Sequence, residues 1–172
     1  MLERPQEGEY QGFVTGYINL VPEGDLIALL AEQQAETNRI YSGLSNEKAE
    51  YRYAEGKWSL KEVLGHVTDT ERIMSYRLLR IARGDSTPLP GFDQDAYMEG
   101  NPFEGLSVSD LLENYNAVRQ ATIVLLKQLP KEAFTRLGIS NQLPLSARAL
   151  ACIIYGHERN HLTIIQERYL NS

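Results

Sequence analysis

The sequence predicts an all-α protein, a four-helix bundle. Three observations carry that expectation. Apolar residues recur at a 3–4 spacing in four separate stretches. Each stretch carries a start or stop signal suited to a helix. No segment shows convincing strand alternation. Four amphipathic helices of this length bury their apolar stripes most simply against one another.

The first helix is expected from about Leu26 to Leu44, with Asp25 as N-cap after Pro22-Glu23-Gly24. Its seam runs Leu26, Leu30, Gln33, Thr37, Ile40, Leu44, apolar at both ends and polar in the middle. The second helix has the best start signal in the chain. In Ser59-Leu60-Lys61-Glu62 the Ser and Glu side chains can satisfy free amides reciprocally, and Trp58 and Val63 can form a hydrophobic staple. Its stripe holds Leu60, Val63, Leu64, Val67, Met74, Leu78 and Ile81, and it runs to about Arg83, where Gly84 supplies a natural stop.

The third helix begins near Ser107, with Ser107-Val108-Ser109-Asp110 as a weaker cap. Its seam is Val108, Leu111, Tyr115, Val118, Thr122, Leu125 and Leu129, and Pro130 cannot easily extend it. The fourth begins near Ser146, places Ala147, Leu150, Ile154, His157, His161 and Ile164 on one seam, and ends near Tyr169. Residues 84–106 form a long connection, the kind that serves function or crosses between helices that are not antiparallel neighbours. Tyr10, Phe13, Val14, Tyr17 and Ile18 are too aromatic for a loose tail and are expected to pack along the bundle.

At 172 residues the chain suits one domain, residues 1–172. A net charge of -6 without a basic stripe argues against nucleic-acid binding. No apolar run approaches the roughly 20 residues of a membrane span, and no apolar h-region follows Met1-Leu2-Glu3-Arg4-Pro5, so the cytoplasm is the expected compartment. Cys152 is the single cysteine, which excludes an intrachain disulfide and a cysteine-rich zinc site. It lies off the seam and is expected to be a packing residue.

Three histidines hold the chemical interest. His157 and His161 sit four apart, so they project from one helix face, and that face is the apolar seam. They could be core histidines satisfied by hydrogen bonds. Two adjacent neutral imidazoles in a core need partners, however, and two protonated ones repel. A shared cation removes both problems. His66, at the edge of the second stripe, is the one histidine left to complete a three-ligand site of the open, catalytic type. Gln33, Thr37, Glu71 and Thr122 place polar groups at seam positions and suggest a pocket. Glu71 lies about 140° around the helix from His66, so it suits a water-holding or supporting role better than ligation.

His157-Glu158-Arg159-Asn160-His161 also matches H-E-x-x-H, in which two histidines bind zinc and the glutamate is the general base. Only 11 residues follow His161. No downstream third ligand or sheet edge is evident, so a zinc peptidase is the weakest of the functional readings. Glu158 is expected to be an exposed helix charge, the alternative being a hydrogen bond to a metal-bound water.

The chain resembles the DinB-like family of small bacterial metal-binding bundles, and within it the branch of metal-dependent hydrolases and bacillithiol S-transferases. The resemblance rests on Tyr17-Ile18-Asn19-Leu20-Val21-Pro22, on Lys57-Trp58-Ser59-Leu60 through His66, on Pro88-Leu89-Pro90-Gly91-Phe92-Asp93-Gln94-Asp95, and on His157 to His161. It implies an up-down-down-up bundle with a long crossover after the second helix. It implies that His66, His157 and His161 bind one divalent metal, usually zinc or nickel, with water or substrate in the remaining positions. It also implies transfer of a low-molecular-weight thiol to an electrophilic substrate, or a related hydrolysis, and often a homodimer. A non-enzymatic metal- or ligand-binding bundle is the alternative. The loop 92–97 is either a substrate-contacting segment or a solvated turn held by an Asx-type hydrogen bond.

Overall fold

A computed structural model describes residues 3–170. Six helices and one hairpin follow in order: α1 (Val14–Asn19), α2 (Leu26–Ser42), α3 (Asn46–Glu50), α4 (Leu60–Ala82), α5 (Val108–Gln128), β1 (Leu137–Ser140), β2 (Leu143–Ser146) and α6 (Ala147–Ile164). A π-helical segment, Ile165–Leu170, continues α6. The four long helices are the four expected from the apolar spacing. Asp25 caps α2 through the amides of Ile27 and Ala28. Ser59 and Glu62 form the expected reciprocal cap of α4, and Arg52 also pairs with the Glu62 carboxylate. Ser107 and Asp110 cap α5 in the same way.

The helices form a ring in which α2 packs on α5 and α6, and α4 packs on the same two. Their directions follow from the core. One apolar cluster holds Leu26 and Leu30 of α2, Leu78 and Ile81 of α4, Ile123 and Leu126 of α5, and Leu150 to Ile154 of α6. A second holds Tyr41 of α2, Leu60 to Val67 of α4, Leu111 and Tyr115 of α5, and Leu162 beyond the middle of α6. Helices α2 and α6 therefore run from the first cluster to the second, and α4 and α5 run back. That is an up-down-down-up bundle. Because α4 and α5 are parallel neighbours, no tight turn can join them. The connection must return along a 23-residue helix about 35 Å long.

The hairpin was not expected. Residues 137–146 carry weak alternation interrupted by Gly138 and Pro144, and the turn is Asn141-Gln142. Both turn residues have positive φ, 50° and 65°, as a two-residue turn matching strand twist requires. The Leu89 amide donates to the Ile139 carbonyl and the Asn141 amide to the Leu89 carbonyl, which pins the crossover to the hairpin.

The N-terminal aromatic segment does pack on the bundle. Helix α1 lies along α6 and buries Val14 and Ile18, although Phe13 is 66% exposed. Helix α6 is thus enclosed by α1, α2 and α4. Residues 147–158 are buried all round rather than along one seam, and Cys152 is packed among them. In α5 the buried position is Leu126 rather than Leu125.

Candidate metal centre

Between the two apolar clusters lies a polar layer, and the histidines belong to it. Helix α4 contributes His66, and α6, running the opposite way beside it, contributes His157 and His161. A nitrogen from each of the three lies within 4.8 Å of the others. The Nε2 atoms of His66 and His157 face each other at 3.1 Å. Two nitrogens bound to one ion at about 2.05 Å stand about 2.9 Å apart at a right angle and about 3.3 Å apart at the tetrahedral angle. The observed separation therefore fits a shared cation.

His66 and His157 are buried and His161 is partly buried. Burial pushes His66 down to about 3 and His161 to about 4, and it takes His157 well below its usual value. Their mutual repulsion lowers His66 and His157 further. All three are neutral at pH 7, the form that ligates a metal. His161 makes ring contacts with the other two at 4.9 and 4.7 Å, and no hydrogen bond to protein is formed by its nitrogens among the described residues. Three neutral imidazoles with so few partners are not a satisfied core; they have the composition of an open three-histidine site.

Two glycines let covering segments reach these ligand candidates. A Cβ on Gly156 would stand 2.0 Å from the Tyr17 carbonyl oxygen, so α1 can cross α6 only because that residue has none. The Tyr17 ring then meets the edge of His157 at 5.4 Å. A Cβ on Gly65 would stand 2.2 Å from the Phe103 ring of the crossover. Trp58 packs against the His66 ring, with centroids 4.6 Å apart. Each histidine preceded by a glycine is thus roofed by an aromatic segment that excludes bulk water.

The polar positions expected to mark a pocket are instead a saturated network. Its centre, Arg119, is fully buried and was not singled out in the sequence. Its guanidinium binds Glu71 at 2.7–3.0 Å, Glu158, the Leu30 carbonyl at 3.0 Å and Gln33 at 3.2 Å. Gln33 donates onward to the Tyr155 carbonyl, and Thr122 bonds the Val118 carbonyl of its own helix. Helical spacing does contain the signal: Arg119 lies four residues after Tyr115 and three before Thr122. A charged residue one step from Val118 is easily taken for the solvent edge.

Glu158 is the clearest correction. It is 2% exposed, not a surface charge. One carboxylate oxygen accepts from Thr37 at 2.6 Å and from Tyr115 at 2.7 Å, and the other is held by Arg119. Burial favours loss of the Arg119 charge, yet Glu158 and Glu71 outweigh it and raise its pKa. Glu71 likewise serves Arg119 rather than a ligand. The three groups carry two negative charges and one positive. The negative field of Glu158 opposes the lowering of His161, so the excess charge is felt at the histidines.

His157 also lines a cavity of about 620 Å³ between α4, α6, the hairpin and the crossover. Phe92, Asp93 and Gln94 line it too. Asp93 accepts from the amides of Asp95 and Ala96, so the loop 92–97 is both an Asx-type turn and part of the cavity wall.

Residues 29–165 match the DinB superfamily. The chain belongs to that family. Among relatives of this DinB-superfamily chain is OB0413 of Oceanobacillus iheyensis, named as a metal-dependent hydrolase, 24% identical over 148 residues, with 83% of this chain and 84% of the relative covered. The fold is that of YfiT from Bacillus subtilis, described as a probable metal-dependent hydrolase with an unusual four-helix bundle topology. The two superpose with a TM-score of 0.75 at 16% identity, over 96% of this chain and 91% of YfiT. No described helix is long and apolar enough to cross a membrane.

Proposed function

We propose that the chain is a metal-dependent enzyme in which His66, His157 and His161 hold one divalent cation, zinc or nickel, and that it transfers a small thiol to an electrophilic substrate or catalyses a related hydrolysis. The observation that carries this reading is the convergence of three neutral imidazoles, one of which, His157, lines a cavity large enough for a small-molecule substrate. The net negative charge of the Arg119, Glu71 and Glu158 group supports it, since a buried cation beside the histidines balances that charge. The name of the relative OB0413 supports the metal-dependent, hydrolytic part of this reading.

A divalent cation there would act as a Lewis acid and favour the deprotonated form of a bound thiol or water. The chain's own residues supply the rest. His66, His157 and His161 would hold the cation with one nitrogen each, and His157 would bring it to the edge of the cavity. Trp58, Tyr17 and Phe103 exclude water, which strengthens electrostatics at the reacting atoms. Glu158 holds its charge within the bundle, with both oxygens occupied by Thr37, Tyr115 and Arg119. It is therefore not the free general base that a peptidase of the H-E-x-x-H type needs.

Protein purified without a nickel column should retain about one metal per chain by mass spectrometry, and His161→Ala should lose it. Absence of metal together with no uptake on titration overturns the proposal. A cobalt-substituted sample whose spectrum changes with small thiols supports the enzyme. A spectrum insensitive to thiols and to added electrophiles supports a closed, non-enzymatic binding module instead.

A further inference from the structure

The cavity beside His157 has a second polar end. His66, Thr70, Met74 and Arg77 lie on one face of α4 at spacings of four, four and three, and the last three line the cavity with His157. Arg77 is 4% exposed, and no carboxylate of the described residues lies within ion-pair distance of it. Its guanidinium is spent on the Pro90 carbonyl, a 3.6 Å contact to the Met74 sulfur and the face of Phe92 at 5.6 Å. Burial already disfavours its charge. A guanidinium carries five N–H donors, so most of this one's hydrogen-bonding capacity is unused.

Two more groups in the same wall lack partners. The hydroxyls of Thr70 and Ser140 are the buried side-chain polar atoms of the described residues with no hydrogen bond, and both residues line this cavity. They are 4% and 1% exposed. Unsatisfied buried hydroxyls are rare in a finished core. A buried cation without a counter-charge is costlier still. Asp93, the acidic residue of the wall, is held by the amides of Asp95 and Ala96.

We propose that this cavity binds a substrate bearing a carboxylate, with Arg77 taking the acid group and the hydroxyls of Thr70 and Ser140 completing its hydrogen bonds, while the reacting end of the molecule lies at the histidines. The proposal rests on the metal-dependent reading and names the class of substrate for that same site. A single guanidinium matches a monoanion. No second cationic side chain of the described residues lines the cavity and the carboxylate of Asp93 does, which argues against a phosphate dianion at this end. Eleven residues separate His66 from Arg77, about 16 Å along the helix, and Arg77 leans back toward the N-terminus.

The test compares 6-mercaptohexanoate with 6-mercaptohexanol on cobalt-loaded protein by absorption, and hexanoate with hexanol on metal-free protein by calorimetry. The acid should bind about tenfold tighter or more in both pairs, as a charge-assisted hydrogen-bonded contact requires. Arg77→Gln should erase that preference and leave the alcohols unaffected. Thr70→Val should weaken the acids severalfold without lowering the melting temperature, because its hydroxyl has no partner in the fold. If Arg77→Gln does not fold by circular dichroism, the wild-type ratio and Thr70→Val decide. Equal affinities of acid and alcohol in the wild type, or a preference that survives in folded Arg77→Gln, overturn the proposal. Failure to take up cobalt removes the metal-dependent reading but leaves the calorimetric arm to judge the carboxylate site. If hexanoate still binds when 6-mercaptohexanol saturates the cobalt protein, the acid belongs to the electrophile. If the two exclude each other, it belongs to the thiol. Both results support the site.

Discussion

Replacing Arg119 by methionine removes the one cation that balances two buried carboxylates. The guanidinium is completely buried, and Glu71 and Glu158 are 3% and 2% exposed, so water cannot take its place. Breaking a buried ion pair by deleting one partner costs about 3–5 kcal/mol, chiefly because the other charge is left uncompensated. For a chain of this length that lowers the melting temperature by roughly 10 °C. The loss should be smaller in metal-loaded protein, where a cation at the histidines offsets part of the stranded charge. Urea and thermal unfolding on both forms measure it. A triple variant, Arg119→Met with Glu71→Gln and Glu158→Gln, carries no stranded charge and should regain much of the stability. A loss below about 1 kcal/mol for the single variant refutes the reasoning. So does a triple variant no more stable than the single.

The histidines make metal-free protein acid-sensitive. His66 and His161 titrate near 3 and 4 in the fold against 6.5 when unfolded, so below pH 6.5 the unfolded chain binds more protons and stability falls with pH. Each should cost about 2 kcal/mol by pH 5, measurable as a falling urea midpoint between pH 7.5 and 5; a flat profile contradicts the assigned burial. Gly156→Ala drives a methyl group into the Tyr17 backbone and should cost about 2–3 kcal/mol, read as a lower urea midpoint. Gly65→Ala meets the Phe103 ring first, a side chain rather than backbone, so adding Phe103→Ala should relieve that clash. Glu158→Gln removes a negative charge felt at His161 and should weaken metal affinity about tenfold, by chelator competition. Unchanged affinity would show that the polar layer does not act on the site.

Four helices, their caps and the apolar stripes were legible in the sequence because each depends on residues within a few positions of one another. Ser59 and Glu62 find each other across one turn, and His157 and His161 share a face by spacing alone. The hairpin escaped notice because its strands are only four residues each and lean on Leu89 of the crossover, far away in sequence. Glu158 was misread for a related reason. Spacing places it beside the seam of an amphipathic helix, and only the packing of α1, α2 and α4 around α6 turns that flank into core.

By itself, then, the sequence determined which four long segments are helical and that two histidines share one inward face. Those are short-range consequences of period and capping. The tertiary structure decided that His66 stands 3.1 Å from His157, that Arg119 joins the carboxylates of two other helices, and that Arg77, Thr70 and Ser140 face one cavity. These meetings depend on the direction and neighbours of each helix. Residues 39 to 91 positions apart carry no local signal of their contact.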